Sequence, residues 1–347
     1  MPELRKDPIV GRWVIIATER AMRPGNFIDF NGEGKEEKKE DCPFCEHRES
    51  MVPPEIHAVR DHQHPANGPG WKIRVIPSRK PFLKNEPYFQ RRGHGLYDVV
   101  NGVGAHEVIV ETPEHKNNMA DLDVSQIQLV LQTYVLRFNE LEKNPQLKFI
   151  MAYKNYERSI GNGRVGHSRS QIVASPVNPM RAKDKLNGAK QYYDYHERCI
   201  YCDLLAQEQT YNERVVLESS HFMAITPFAS RFPFELWIIP KKHSCDFAKG
   251  VAGLEGDLAQ VLKNILVKIK KGLNNPDYNF VVHTAPFRRE QSKNRDWKTI
   301  EQDYHWHIEV MPRLTRVAGF EKGSGFYICS IPPENTAEFL RGVKTDV

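Results

Sequence analysis

Polar and apolar residues alternate along the stretch His305–Val310, and this two-residue period predicts a β-strand with one polar and one buried face. His305, His307 and Glu309 fall on the polar face, and the residues between them fall on the face that we expect to be buried. Three convergent polar side chains on a rigid strand predict a metal or phosphate site.

An earlier stretch, His167–Pro176, has the same layout, and there His167, Arg169 and Gln171 share the polar face. The two stretches differ at one position that matters for chemistry, because Arg169 stands where the later stretch has His307. The chain therefore carries one polar strand pattern twice, with an arginine in place of a histidine in the first copy.

The elements predicted before each polar strand follow one order: a Cys-x-x-Cys pair, two strands, one long amphipathic helix and a third strand. The first half contains them at Cys42–Cys45, Trp71–Pro77, His106–Pro113, a helix with apolar residues from Ile127 to Leu141, and Leu147–Tyr153. The second half contains them at Cys199–Cys202, Phe222–Pro227, Phe234–Pro240, a helix with apolar residues from Leu258 to Ile269, and Tyr278–His283.

Matched elements in the same order indicate an internal duplication. We therefore predict an α+β fold with two halves, residues 1–180 and 181–347, each a mostly antiparallel sheet covered by one long helix. The length of 347 residues provides enough apolar material for such a core.

Charge and composition exclude some classes of function. The net charge of +5 and the pI near 8.7 suit a ligand that carries phosphate, but they are too weakly basic to indicate a nucleic-acid partner. The N-terminus has no apolar signal segment, and no stretch is long enough to span a membrane. We therefore expect a cytoplasmic protein without a membrane or nucleic-acid partner.

Each half also supplies one set of metal-ligand residues, which consists of a Cys-x-x-Cys pair, a histidine after a strand and the first histidine of the polar strand. Two thiolates and two imidazoles form the expected tetrahedral zinc site, so the sequence predicts two Zn²⁺ per chain. The alternative is that one half has lost its metal and keeps the ligands by chance. The two sets are Cys42, Cys45, His115 and His167, and Cys199, Cys202, His243 and His305.

The two halves, the cysteine pairs and the His-x-x-x-Gln strand resemble the galactose-1-phosphate uridylyltransferase family of the histidine-triad superfamily over nearly the whole chain. The plant ADP-glucose phosphorylase branch is the most similar in Trp71–Pro77, Phe234–His243 and Gly319–Gly325. The resemblance implies histidine-triad-like halves, bound zinc and a homodimer. It also implies transfer of a nucleoside monophosphate between a nucleoside diphosphate sugar and a sugar phosphate or phosphate acceptor.

In this family a neutral histidine attacks the α-phosphorus and becomes a nucleotidyl-histidine, and a glutamine two residues later binds the phosphate. The resemblance places Arg169 at the nucleophile position and matches Gln171 to that glutamine, although the family tends to have asparagine where Ser78 stands. The substrate-binding residues that it implies are Arg20, Arg23, Ser78, Asn155, Gln171, Gly319, Phe320 and Glu321.

Arg169 departs from the family pattern, because a guanidinium cannot take the covalent nucleotidyl group, although it clamps phosphate well. Three explanations are open. The first half binds nucleotide without a covalent intermediate, or the chemistry has moved to His307, or Arg169 is a sequence variant of an ordinary enzyme. We expect a nucleotidyltransferase; the alternatives are an enzyme like ADP-glucose phosphorylase and a catalytically silent protein that binds nucleotide sugars.

Overall fold

A computed structural model of the chain describes residues 2–20, 42–61, 63–157, 166–288 and 297–345. Within these ranges it contains fifteen β-strands and eight α-helices. Two of the predicted substrate-binding side chains, those of Arg20 and Arg23, lie outside the described part of the chain.

Most strands are four to eight residues long. The first half contains β1 (Glu3–Lys6), β2 (Trp13–Ile16), β3 (His57–Arg60), β4 (Trp71–Pro77), β5 (Arg91–His94), β6 (Tyr97–Val100), β7 (Ala105–Val110), β8 (Phe149–Tyr156) and β9 (Arg169–Ser175). The second half contains β10 (Val215–Glu218), β11 (Phe222–Ile225), β12 (Leu236–Pro240), β13 (Tyr278–His283), β14 (His307–Pro312) and β15 (Tyr327–Cys329).

The helices include the two long amphipathic ones that the apolar periodicity predicts, α1 and α5. In chain order they are α1 (Val124–Glu142), α2 (Met180–His196), α3 (Ile200–Tyr211), α4 (Phe247–Gly250), α5 (Glu255–Gly272), α6 (Ile300–Asp303), α7 (Gly319–Ser324) and α8 (Pro333–Gly342).

Ten of the strands form a single antiparallel sheet in the order β10-β11-β12-β14-β13-β8-β9-β7-β4-β3. The halves join where β8 pairs with β13, with Lys154 opposite Phe280. The prediction of a separate sheet for each half is therefore refined, because the two five-strand sets share one continuous sheet. Strands β1, β2 and β15 form a small second sheet, and β5 and β6 form a hairpin.

Helices α1 and α5 pack side by side on one face of the large sheet and bury the main hydrophobic core. Ile172 and Ala174 of β9 face this core, as do Ile308 and Val310 of β14. The alternation along both polar strands thus separates an apolar face, which packs on this core, from a polar face as predicted. The α+β class, with antiparallel strands covered by long helices, is confirmed.

The opposite face of the sheet carries the polar residues of β9 and β14, and in the second half it is covered by helices. Leu186 and Ala189 of α2 and Ile200 of α3 form a second hydrophobic core there with Trp237 and Ile239 of β12. This covering determines which of the two polar strands lies within a closed interior.

The apolar periodicity of the sequence does not predict α2, which begins at Met180, the residue that ends the first predicted half. Only Lys185, Leu186 and Ala189 of its 17 residues are buried, so it has little apolar periodicity. The β5–β6 hairpin was also missed, since all of its strand residues are exposed. Across the described ranges, no helix combines the length and the apolar content needed to cross a membrane.

Candidate metal centres and active site

The first predicted metal set is assembled at the start of β9. The candidate ligand atoms of Cys42, Cys45, His115 and His167 all lie within 4.8 Å of one another. The sulfur of Cys42 is 3.4 Å from Nδ1 of His167, and the sulfur of Cys45 is 3.3 Å from Nδ1 of His115. Residues far apart in the sequence thus direct two sulfurs and two imidazole nitrogens at one point.

The second set lies at the equivalent place in the second half. Cys199, Cys202, His243 and His305 also have their candidate ligand atoms within 4.8 Å of one another. Cys199 precedes α3 and Cys202 lies in its first turn, whereas His305 lies two residues before β14. The sulfur of Cys202 is 3.3 Å from Nδ1 of His243 and 3.7 Å from Nδ1 of His305.

Backbone carbonyls orient one histidine in each set. Nε2 of His167 is 2.8 Å from the carbonyl oxygen of Thr112, and Nε2 of His243 is 2.9 Å from that of Glu301. Since a carbonyl oxygen only accepts, Nε2 carries the proton in both rings and the Nδ1 lone pair faces the thiols. Burial lowers the pKa of His167 to about 4, so that this ring is neutral near pH 7.

The acidity of the thiols differs between the two sets. A hydrogen bond from Cys199 lowers the pKa of Cys202 to about 3 and raises that of Cys199, so one thiolate is favoured in the second set. In the first set, burial raises the pKa of Cys42 to about 12. A divalent cation would deprotonate its thiol ligands, and the donor set and carbonyl-held histidines fit zinc.

Arg169 occupies the first position of β9 on the polar face, two residues after His167. Its Nη1 donates to the carbonyl oxygen of His167 at 3.1 Å, and its guanidinium lies 5.4 Å from the ring centroid of Phe44. Phe44 belongs to the first Cys-x-x-Cys turn, so the guanidinium lies against that turn. Arg169 is half-buried on the polar face.

Gln171 is the next residue on this face, and two neighbouring strands hold its side-chain oxygen. The oxygen accepts hydrogen bonds from Nε2 of His106 at 2.7 Å and from the hydroxyl of Tyr153 at 3.0 Å. Burial raises the pKa of Tyr153, so its hydroxyl stays protonated and donates. With the oxygen engaged twice, the amide nitrogen is the end that can donate to a phosphate. We call the polar face around Arg169 and Gln171 the first-half site.

A buried ion pair supports this site from the helix side of the sheet. The ammonium of Lys154 is 2.6 Å from Oε2 of Glu111, and it also donates to the hydroxyl of Ser168 and the carbonyl oxygen of Arg169. Ser168 donates to the same carboxylate oxygen at 2.5 Å. Sequence reasoning missed Lys154 and Glu111, and it also missed His106 and Tyr153, because their roles depend on strand register.

The second half has a closed ionic cluster at the corresponding place. His307 is fully buried, and its Nε2 lies 2.6 Å from the ammonium of Lys185, which α2 carries across the sheet. Lys185 also donates to Glu309 at 2.5 Å, and Arg231 donates to the other carboxylate oxygen at 2.7 Å. His283 stacks on His307 with ring centroids 4.8 Å apart. Burial, then Lys185, holds the pKa of His307 well below its usual value.

The remaining predicted substrate residues lie in three places. Ser78 lines a cavity of about 500 Å³ that His106 also lines, beside the first-half site. Asn155 is exposed on β8 and accepts a hydrogen bond from Asn279 at 2.6 Å. Gly319–Glu321 begins α7, where Glu321 accepts from the backbone amides of Ala318 and Ile328. The described contacts of this segment are therefore local to α7 and β15.

Comparison with known families agrees with the arrangement of two halves. A family model described as galactose-1-phosphate uridyl transferase, N-terminal domain, matches residues 1–179. The model of the C-terminal domain of the same enzyme matches residues 185–325. Together they span most of the chain, and the family resemblance seen in the motifs is confirmed.

Individual relatives are similar over the full length. The chain is 37% identical to ADP-glucose phosphorylase of Arabidopsis thaliana, across 99% of this chain and 93% of the relative. It is 26% identical to galactose-1-phosphate uridylyltransferase of Thermotoga maritima, across 100% of both. A crystal structure of the Arabidopsis thaliana ADP-glucose phosphorylase with bound ADP-glucose matches with a TM-score of 0.80 at 35% identity, covering 99% of this chain and 100% of the other.

Proposed function

Since the chain belongs to the galactose-1-phosphate uridylyltransferase family, we propose that its first-half site moves a nucleoside monophosphate from a nucleoside diphosphate sugar to a phosphate acceptor. The observation that carries this proposal is the pairing of Arg169 with the oriented amide of Gln171 on one strand face. A guanidinium and an amide are the donors that recognise the oxygens of a diphosphate. His307, by contrast, is buried behind Lys185, so we assign it a structural role.

The donor substrates that we propose are ADP-glucose and UDP-glucose, with inorganic phosphate or a hexose 1-phosphate as acceptor. The 37% identical relative is named ADP-glucose phosphorylase, and its solved structure holds ADP-glucose, which favours the adenine nucleotide. The cavity that Ser78 and His106 line is large enough for a nucleoside, and His106 connects it to Gln171 through their hydrogen bond.

We also propose one zinc ion in each four-residue set. In the first set, zinc would tie His167 at the start of β9 to the cysteine turn that carries Phe44, which supports Arg169. Its contribution would be structural, because the positioning of phosphate is left to Arg169 and Gln171. Thiolate ligands of this kind persist in a reducing compartment, so we place the protein in the cytoplasm.

A homodimer is part of the proposal. The predicted substrate segment Gly319–Glu321 makes its described contacts within α7 and β15, whereas Arg169 and Gln171 lie on β9. If both contact one ligand, the simplest arrangement brings α7 of a second copy to the first-half site. Size measurement in solution, with and without ADP-glucose, tests the dimer.

The discriminating experiment incubates the protein with ADP-glucose or UDP-glucose, each with phosphate or a hexose 1-phosphate, and measures the products. We expect turnover with at least one pair, and its loss in Gln171→Ala. Tight binding of the nucleotide sugar without turnover would support the silent binding protein instead. A surface variant such as Lys190→Ala, whose ion pair with Asp194 lies in an exposed part of α2, provides a matched control.

A further inference from the structure

We propose that the first-half site transfers the nucleotidyl group in one displacement, in which the acceptor phosphate attacks the α-phosphorus directly and no nucleotidyl-protein intermediate forms. This inference rests on the proposed function and specifies its chemical course. It departs from the two-step course that the family resemblance implies, and it follows from what surrounds Arg169.

The side chain at position 169 cannot act as the covalent carrier. The electrons of a guanidinium are delocalised over its three nitrogens, none of which offers a lone pair for attack on phosphorus. The side chain of Arg169 is also held in place, because it donates to the carbonyl oxygen of His167 and lies against the ring of Phe44. Another side chain therefore cannot easily take its place beside the phosphate.

Each of the three histidines described around the first-half site directs a ring nitrogen at a partner other than a bound phosphate. Those of His115 and His167 direct Nδ1 at the thiols of the first metal set. His106 directs Nε2 at the side-chain oxygen of Gln171, so Nε2 carries a proton. Its other nitrogen, Nδ1, is buried away from that contact. None of them presents an unprotonated nitrogen to a phosphate bound by Gln171.

The second half does not supply the missing imidazole either. His307 has its Nε2 against the ammonium of Lys185 and its Nδ1 3.1 Å from the carbonyl oxygen of His305. The ring is fully buried among Tyr201, Trp237 and His283. A diphosphate could reach it only if α2 moved off the sheet.

A guanidinium is nevertheless well suited to direct transfer. In this course two anionic phosphates, the α-phosphate of the donor and the acceptor, must approach each other. Their repulsion is reduced by a fixed positive charge beside the reacting phosphorus. A neutral imidazole would not supply that charge, whereas Arg169 supplies it together with a fork of donors for the phosphate oxygens.

The step balances without a further reactant. An oxygen of the acceptor phosphate forms a bond to the α-phosphorus, and the bond from the α-phosphorus to the bridging oxygen breaks. The sugar 1-phosphate leaves with that electron pair, and the acceptor becomes the new β-phosphate. Both substrates must therefore be bound at the same time.

The sharpest test follows the stereochemistry at the α-phosphorus, because it distinguishes one displacement from two. We use ADP-glucose made chiral by sulfur at the α-phosphorus, with phosphate as acceptor and the unaltered protein. One displacement inverts the configuration at phosphorus, and two displacements retain it. We expect inversion, and retention would overturn the proposal.

Trapping provides a second measurement that needs no variant. The protein is mixed with ADP-glucose labelled in the adenylyl group, quenched in base and digested. We expect no labelled peptide, and a labelled peptide that contains His106 or His307 would overturn the proposal and identify the carrier. Arg169→His should gain an acid-labile label at position 169, whereas Arg169→Lys should not and should lower turnover by about 10- to 100-fold.

These outcomes separate the inference from the proposed function. Turnover with retention refutes direct transfer and leaves the nucleotidyltransferase standing. Binding without any turnover refutes both, because no transfer occurs by either course. Turnover with inversion and no label supports both.

Discussion

The side-chain oxygen of Gln171 lies 2.7 Å from Nε2 of His106 on the neighbouring strand. The hydroxyl of Tyr153 approaches the same oxygen from the other neighbouring strand. Side chains from the strands on both sides thus hold the glutamine. Their hydrogen bonds fix the direction in which its amide nitrogen points.

Removing these holding groups should weaken phosphate binding although neither needs to touch the ligand. We expect His106→Leu and Tyr153→Phe each to lower the affinity for ADP-glucose by about 0.5–1.5 kcal/mol, since each removes one hydrogen bond. Calorimetry checks this. Gln171→Glu is the matched control, because it keeps the shape but replaces the donating amide by an acceptor, and it should weaken binding more than either.

Loss of a thiol should remove metal from one half. We expect Cys42→Ser and Cys199→Ser each to reduce the zinc content by about one ion per chain and to lower the free energy of unfolding, because metal binding is coupled to folding. Metal analysis and urea unfolding measure both effects. Cys245→Ser alters a buried thiol outside the two sets and should leave the zinc content unchanged. Protein purified without chelators that contains no zinc would contradict the assignment.

The guanidinium of Arg169 should contribute directly to ligand affinity. Arg169→Ala should weaken binding of the nucleotide sugar by about 1.5–3 kcal/mol, the range for a hydrogen bond to a charged group. Arg169→Lys keeps the positive charge but loses the forked guanidinium donors, so its affinity should fall between those of the unaltered protein and Arg169→Ala. If calorimetry gives Arg169→Ala the affinity of the unaltered protein, the side chain does not face the phosphate.

Removing one partner of the buried pair of Lys154 and Glu111 should destabilise the protein strongly, whereas replacing both partners with apolar residues should change its stability little. Lys154→Met leaves a buried carboxylate without its cation, and we expect a loss of about 3–5 kcal/mol in the free energy of unfolding. The double variant Lys154→Met with Glu111→Leu should recover most of that loss. An additive effect of the two changes in urea unfolding would show that the pair is not coupled.

Stability should decrease in acid because of the second-half cluster. Burial and then Lys185 lower the pKa of His283 to about 4, whereas an unfolded histidine titrates near 6.5. Between these values the unfolded chain binds the extra proton, so the loss begins as the pH falls below about 6.5 and amounts to about 3 kcal/mol for this group. Burial alone would raise the pKa of Glu309, but Arg231 and Lys185 hold it well below its usual value.

The carboxylate of Glu309 therefore adds stability above its unfolded pKa, near 4.5, that is lost as the pH falls further. Urea unfolding at pH 8, 6 and 5 tests the histidine part of this dependence. His283→Gln should show a smaller decrease between pH 8 and 5 than the unaltered protein. An equal decrease in both would assign the acid sensitivity to other groups.

The sequence predicted the parts of the fold that local patterns specify. Strands Trp71–Pro77 and Tyr278–His283 have the predicted bounds, because alternation and flanking prolines or turns are visible in a short window. The eight metal-set residues could be grouped because cysteine spacing and strand order repeat in both halves, and the structure brings each set together.

Contacts between distant strands could not be predicted in the same way. Lys185 lies on a polar helix without a clear apolar period, and only its place over β14 shows that it covers His307. Likewise, His106 and Tyr153 reach Gln171 because β7 and β8 pair with β9 in one register. A shift of one residue would turn either side chain to the other face, and no local sequence pattern excludes such a shift.

The pairing of β8 with β13 couples the stability of one half to that of the other. Only β8 and β13 separate β9 from β14, so the strand of the first-half site and the strand of the closed cluster lie about 14 Å apart within one sheet. Neither half is complete alone, because each would expose the edge that the other covers. We therefore expect that opening the second half removes the lateral support of the first, so that both halves unfold in one cooperative transition.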